Sequence, residues 1–268
     1  MTNAWGEAIG GWVRWLQAAD RPRTTIKLRK YQLGRLAEVS RNPWKVTTEV
    51  LLAWLGNPNW ATETRRSMRA ALRSFYGWAH ASGRNATNPA ALLPPIKPTE
   101  PKPRPTPEPV LQAAIEFADE RVELMILLGA RQGLRRGEIA QVHSADLIED
   151  LGGWSLRVHG KGRKIRIIPL RDEVALRLRA LPPGYAFPGN YQGQGHISPY
   201  WVGRLVRRCL DAGWTTHTLR HRFATRTYEG CKDIFVVQNL LGHSKPETTI
   251  RYVVKPMDAM RAALAAAA

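Results

Sequence analysis

Apolar residues at Trp5, Ile9, Trp12, Val13 and Leu16 recur at i, i+4, i+7, i+8 and i+11, the stripe of an amphipathic helix. Met68, Leu72, Phe75, Tyr76 and Ala79 repeat that spacing in a later segment. Between them, helices are expected over about 25–40 and 47–55. Seven of the ten tryptophans lie before residue 80 and fit these stripes, which makes most of them core anchors rather than platforms for stacking on a ligand. Residues 1–93 therefore predict an all-helical domain of four helices.

The pattern changes in the second half. "VELMILLGARQGL" reads as a buried helix with Gly133 near its end. "WSLRVHG" and "KIRIIPL" are short strands flanking "GKGR", the signature of a β-hairpin. Helical spacing resumes around 199–212, 217–229, 234–241 and 247–252. The chain is thus mainly α with a small β component: an N-terminal helical domain, 1–93, and a C-terminal α+β domain, 110–268. Residues 94–109, "PPIKPTEPKPRPTPEP", are half proline, which rules out a helix interior or a central strand. They are expected to form a semi-rigid spacer rising about 3.1 Å per residue. The Ala-rich end "AALAAAA" either extends a final helix or frays.

Composition narrows the partner. A net charge of +18 and a pI near 10.6 favour a polyanion, nucleic acid or an anionic membrane surface. No apolar run approaches the roughly 20 residues needed to span a bilayer, and the first residues lack the features of a signal peptide. Cys209 and Cys231 have no metal-like spacing. A cytoplasmic protein without membrane association is expected. In the first domain Arg65, Arg69 and Arg73 run along one helix with Arg66 beside them. Arg21, Arg23, Lys27, Arg29 and Lys30 crowd the start of another. With few acidic neighbours, these runs are candidate phosphate contacts.

Five patterns in the second domain carry candidate chemistry. "GLRRGEIA" places Arg135 at a break between helices, where it is free either to pair with Glu138 or to grip phosphate oxygens in bidentate fashion. "HGKGRK" sets Lys161 between Gly160 and Gly162 at a hairpin tip, either a plain turn or a long cation on a mobile arm. In "TTHTLRHRFAT", His217 and Arg220 share a helical face at i,i+3. His217 and His221 have the i,i+4 spacing of a zinc pair, but Thr218 stands where a zinc protease motif needs Glu, and no metal site is expected. "LLGHS" puts His243 just after a helix-ending glycine, and "TTIRYV" ends on Tyr252, a structural tyrosine unless it lies beside an anion grip.

In this order, GLRxGE, the GKG hairpin, HxLRH, LGH and a final Tyr, the second domain resembles the tyrosine recombinase (phage integrase) family. The first domain is similar to that family's four-helix core-binding domain. The resemblance implies that Arg135 and Arg220 hold the non-bridging oxygens of a scissile DNA phosphate and that His243 adds a hydrogen bond. Tyr252 is then the nucleophile forming a 3′-phosphotyrosyl bond, Lys161 protonates the leaving 5′ oxygen, and His217 assists proton transfer. Glu138 and His221 support the site. The chemistry is transesterification and implies no cofactor, metal or ATP. Two departures stand out: Thr218 where many relatives carry Asp, and Arg131–Gln132 where a small residue or Thr is common.

The implied partners are double-stranded DNA core sites, a homotetramer assembled on DNA from a monomer or weak oligomer, and an accessory directionality factor. The helical bundle begins near residue 5, so the resemblance is to a short form without an arm-type DNA-binding domain. The tail, with a helix expected at 257–264, either docks on a neighbouring protomer or stays with its own. Integration or excision of a phage or mobile element is the expected function. A Xer-type dimer resolvase and a non-catalytic DNA-binding regulator are the alternatives.

Overall fold

The computed structural model describes residues 2–99, 103–160, 162, 164–242 and 264–265, in two compact units, Met1–Glu100 and Pro101–Ala268. The expected helices at 247–252 and 257–264 lie outside the described residues, Leu264 excepted.

The first unit contains α1 (Asn3–Ala18), α2 (Arg23–Ala37), α3 (Thr48–Leu55) and α4 (Thr62–Ala81). The apolar stripes face inward: Trp5, Ile9, Trp12 and Leu16 of α1 meet Met68, Leu72, Phe75 and Tyr76 of α4 in one core. Phe75 is the hub, with Trp5 stacked at 5.8 Å, Trp12 edge-on at 5.5 Å and Tyr76 edge-on at 4.9 Å. Such pairs are worth about 0.5–1.5 kcal/mol each beyond area burial. Trp5, Trp12 and Trp78 are buried; Trp15 is 45% exposed and is not a core anchor.

The second unit opens with α5 (Glu108–Phe117), α6 (Glu120–Ala130) and α7 (Arg136–Ala140). A three-stranded antiparallel sheet follows, β1 (Leu147–Asp150), β2 (Gly153–His159) and β3 (Ile165–Pro169), in the order β1-β2-β3. The β2–β3 register ends on the pair His159 and Ile165. Then come α8 (Asp172–Arg179), α9 (Pro199–Cys209), α10 (Thr216–Cys231) and α11 (Ile234–Leu241). The core gathers α6, α7, α9, the sheet and Leu219 of α10. A Cβ on Gly129 would lie 3.3 Å from Leu219, so α6 and α10 pack closely there.

The proline-rich stretch departs from the expected spacer at its end. Glu108 and Pro109 already belong to the first turn of α5, where proline has no amide to lose. Just before it, the chain is fastened to α10. The Arg104 amide donates to His221 Nδ1 at 3.0 Å, and the Thr106 amide donates to the Thr218 carbonyl at 3.2 Å. Thr106 and Thr218 hydroxyls also meet at 2.9 Å. The Arg104 guanidinium lies 4.5 Å over the Trp214 ring.

Candidate active site

Each side of the site is built by a local rule. At the end of α6 the chain turns through Gly133, whose φ of +67° suits glycine and whose Cβ would fall 2.3 Å from Phe223. Arg135 is the N-cap of α7, and its amide is satisfied by Glu138 Oε2 at 2.8 Å. α10 begins with a capping box: Thr215 Oγ1 accepts from the His217 amide at 3.2 Å and Thr218 Oγ1 accepts from the Thr215 amide at 2.9 Å. The Thr218 departure is thus a helix cap. The helix periodicity then exposes His217 at the rim and buries Arg220 and His221.

The centre of the site is Glu138, its side chain 3% exposed. Oε1 accepts from Arg135 Nη1 at 2.8 Å and Arg166 Nη1 at 2.9 Å. Oε2 accepts from Arg166 Nη2 at 2.9 Å, and Arg220 Nη1 lies 3.6 Å from it. Burial alone would raise this carboxyl. The Arg166 hydrogen bonds and charge, the Arg220 charge and the Arg135 amide outweigh it and hold the pKa down to about 2.

The second acceptor set is the C-terminus of α11. Its last carbonyls have no helical partner and carry the negative end of the macrodipole. Arg220 Nη2 donates to the Leu241 carbonyl at 2.6 Å, Arg135 Nη1 to the same oxygen at 3.4 Å, and Arg166 Nε to the Leu240 carbonyl at 2.9 Å. Arg220 Nη1 also donates to the Gly133 carbonyl at 2.5 Å. Gly242, at φ +63°, ends α11 in the left-handed cap.

The His217 and His221 rings meet edge-on with centroids 4.5 Å apart. Although His217 sits at the rim, its ring packs against His221, and this local desolvation first, then the charge of Arg220, lowers its pKa below the ordinary value. His221 is held down to about 4, by burial first and then by His217 and Arg220. No group of three His, Cys, Asp or Glu side chains among the described residues is disposed to hold a metal ion.

Of the site residues expected from sequence, Arg135, Glu138, His217, Arg220 and His221 come together here. Lys161, His243 and Tyr252 lie outside the described residues. Arg166 escaped the sequence reading. Its only signal is a cation inside an otherwise apolar strand, "IRIIP". The Arg131–Gln132 departure also has a structural role. With its amide turned to satisfy both neighbours, Gln132 donates to the Pro169 carbonyl at 3.2 Å and accepts from the Arg171 amide at 2.8 Å. Arg131 pairs with Glu173.

In the first unit, several cations expected to face a ligand are engaged by the protein. Arg69 donates to the Leu93 carbonyl at 2.7 Å, Arg73 to the Ala91 carbonyl at 3.1 Å, and Arg29 to the Ser67 carbonyl at 2.7 Å. Arg66 pairs with Glu63, an acidic neighbour on the same helix. Lys27 and Lys30 are exposed.

Comparison with known proteins agrees in sequence and in fold. The profile of the Phage integrase family matches residues 198–258. The tyrosine recombinase XerC of Rhodospirillum centenum is 32% identical over 92% of this chain and 82% of its own length. A lambda integrase dimer bound to a COC′ core site superposes with a TM-score of 0.76, covering 92% of this chain and 76% of that one at 19% identity. A lambda integrase tetramer bound to a Holliday junction gives 0.72 over 90% and 77%, also at 19% identity. No helix among the described residues is long and apolar enough to cross a membrane.

Proposed function

The chain belongs to the tyrosine recombinase (phage integrase) family, and from that premise we propose how its residues divide the work of cutting and rejoining DNA. It is a site-specific recombinase acting through a phosphotyrosyl intermediate. The observation that carries the assignment of residues is the convergence of Arg135 and Arg220 on one oxygen, the Leu241 carbonyl, beside a charge-balancing Glu138. Two guanidinium groups brought to one point can share the non-bridging oxygens of a phosphate and neutralise the charge that grows in the transition state.

In this reading the Tyr252 phenol oxygen attacks phosphorus and the bond to the 5′ oxygen breaks. Lys161 supplies the proton that the leaving 5′ oxygen takes up, and His243 donates to the phosphate. His217, with a pKa below the usual range, is neutral near neutral pH and so able to accept the phenol proton. The products are a 3′-phosphotyrosyl linkage and a 5′ hydroxyl, and attack by another strand's 5′ hydroxyl reverses the step. Glu138 orients Arg135 and Arg220, and His221 backs His217. Lys27, Arg29, Lys30, Arg65, Arg66, Arg69 and Arg73 lie on helices assigned to core-site DNA, with the exposed Lys27 and Lys30 the direct phosphate contacts. Assembly as a tetramer on paired sites follows the arrangement named for lambda integrase on a Holliday junction.

Integration or excision of a mobile element is the role proposed. The XerC relative favours a second reading, resolution of chromosome or plasmid dimers. The mechanism is tested with nicked duplexes carrying a candidate core site, protein–DNA adducts being resolved on a denaturing gel. A covalent adduct is expected with the native chain, absent from Tyr252→Phe, strongly reduced in Arg135→Ala and Arg220→Ala, and undiminished by EDTA. An adduct that persists in Tyr252→Phe would overturn it. An attachment site next to the gene, as against a dimer-resolution site, decides between the two roles.

A further inference from the structure

We propose that Arg166 is a positioning residue for strand cleavage, a clamp on β3 that holds Glu138 and the end of α11 in the one arrangement that aims Arg135 and Arg220 at the phosphate. The inference rests on the recombinase reading of the site and adds a residue to it.

The geometry is specific. Arg166 spends its whole guanidinium inside the protein: Nη1 and Nη2 go to the two oxygens of Glu138, both at 2.9 Å, and Nε goes to the Leu240 carbonyl at 2.9 Å. All three of its nitrogens are engaged by oxygens of Glu138 and Leu240, which fits a role of holding other groups in place. Three elements meet at this one group: β3, the α7 turn that carries Arg135, and the terminus of α11, whose Leu241 carbonyl receives Arg135 and Arg220. The fold also makes room for it. A Cβ on Gly242 would stand 2.9 Å from Arg166 Cδ and 3.1 Å from Nη1, so glycine at the end of α11 is what lets the guanidinium lie there.

Removing the clamp frees two things together. Glu138 loses its bidentate partner and keeps only Arg135 and Arg220, which it then draws away from an incoming phosphate. The terminus of α11, two residues before His243, loses its anchor to the sheet. Lysine does not substitute, because one ammonium cannot serve both carboxylate oxygens and the carbonyl in this planar geometry.

The test is single-turnover cleavage of a nicked duplex carrying a candidate core site, measured beside affinity for the uncleaved duplex. Arg166→Met is expected to slow cleavage about 10²-fold, the size of effect that a displacement near 1 Å produces in a reacting geometry. Its affinity should stay within about threefold of the native chain, under 1 kcal/mol. Arg166→Lys should fall between the two. Should Arg166→Met fail to fold, Gly242→Ala keeps every charge, crowds Arg166 and is expected to show the same split between rate and affinity. Cleavage at the native rate in Arg166→Met or Arg166→Lys would overturn the proposal, as would rate and affinity falling in parallel. If the native chain itself forms no adduct, the recombinase reading fails, and this inference with it.

Discussion

Arg220 Nη2 and the carbonyl oxygen of Leu241 lie 2.6 Å apart, joining the second turn of α10 to the last residue of α11 across twenty-one residues. The guanidinium is 1% exposed, and Nη1 reaches the Gly133 carbonyl. A cation this deeply placed is tolerated because two backbone oxygens and the Glu138 carboxylate face it. The same contacts orient it.

Arg220 therefore has two roles, and its removal should show both. Arg220→Ala leaves Glu138 with one fewer compensating charge and two carbonyls with one fewer donor. The expected loss of stability is about 3 kcal/mol, at the lower end for breaking a buried pair because Arg135 and Arg166 remain. Urea unfolding measures it, and the adduct assay should show cleavage abolished even where the variant is folded.

Acid should unfold the protein in two windows. The Glu138 pKa is depressed from 4.5 to about 2, so its contribution is complete above about 4.5 and fades as the pH falls toward 2. By linkage this is on the order of 3 kcal/mol. His221 titrates near 4 against an ordinary 6.5. The unfolded chain binds that proton first, so stability also drops as the pH falls from 6.5 toward 4. Stability measured against pH should lose the lower window in Glu138→Gln and the upper one in His221→Gln.

Gly133→Ala should cost about 2–3 kcal/mol, from a left-handed φ and from the contact with Phe223. Combining it with Phe223→Ala relieves the contact and leaves the backbone strain. A double-mutant cycle should therefore show favourable coupling between the two changes, and simple additivity would contradict the packing described.

Thr218→Val should destabilise by about 1 kcal/mol through loss of the α10 cap and the Thr106 hydroxyl contact. Thr218→Asp keeps an acceptor for both the Thr215 amide and the Thr106 hydroxyl, and thermal unfolding should place it closer to the native chain.

In the first unit, Lys27→Ala and Lys30→Ala should each lower the slope of log affinity against log salt by about 1 for duplex DNA without altering stability. Arg69→Met should do the reverse, lowering the unfolding midpoint through lost bonds to the Leu93 carbonyl, with a smaller change in salt slope.

The long helices and the β2–β3 hairpin were legible because their signals are local. Trp5 to Leu16 and Met68 to Ala79 repeat with the period of a helix, and "GKGR" separates two alternating runs. β1 and α7 were not, since four or five residues carry too little periodicity to be recognised, and α8, half of whose eight residues are charged, carries only a short apolar stripe. α5 was hidden behind Glu108 and Pro109, because proline inside a helical first turn looks the same in sequence as proline in a spacer.

The sequence by itself determined the family and the residue types available for the chemistry: an arginine before a short helix, a second arginine three residues after a histidine, a lysine at a hairpin tip and a late tyrosine. Those are side-chain identities at fixed spacing, and spacing survives without a structure. Only the tertiary structure decided which partners those side chains keep. The acceptors of Arg135, Arg166 and Arg220 include backbone carbonyls of Gly133, Leu240 and Leu241. A carbonyl is present at every residue, so its use as an acceptor leaves no mark in the sequence. The same holds for Arg69 and Arg73, basic by sequence and held to the Leu93 and Ala91 carbonyls in the fold. What folding adds is the choice of which buried polar groups must be satisfied together, and that choice turned Arg166 from a cation in a strand into the centre of a clamp.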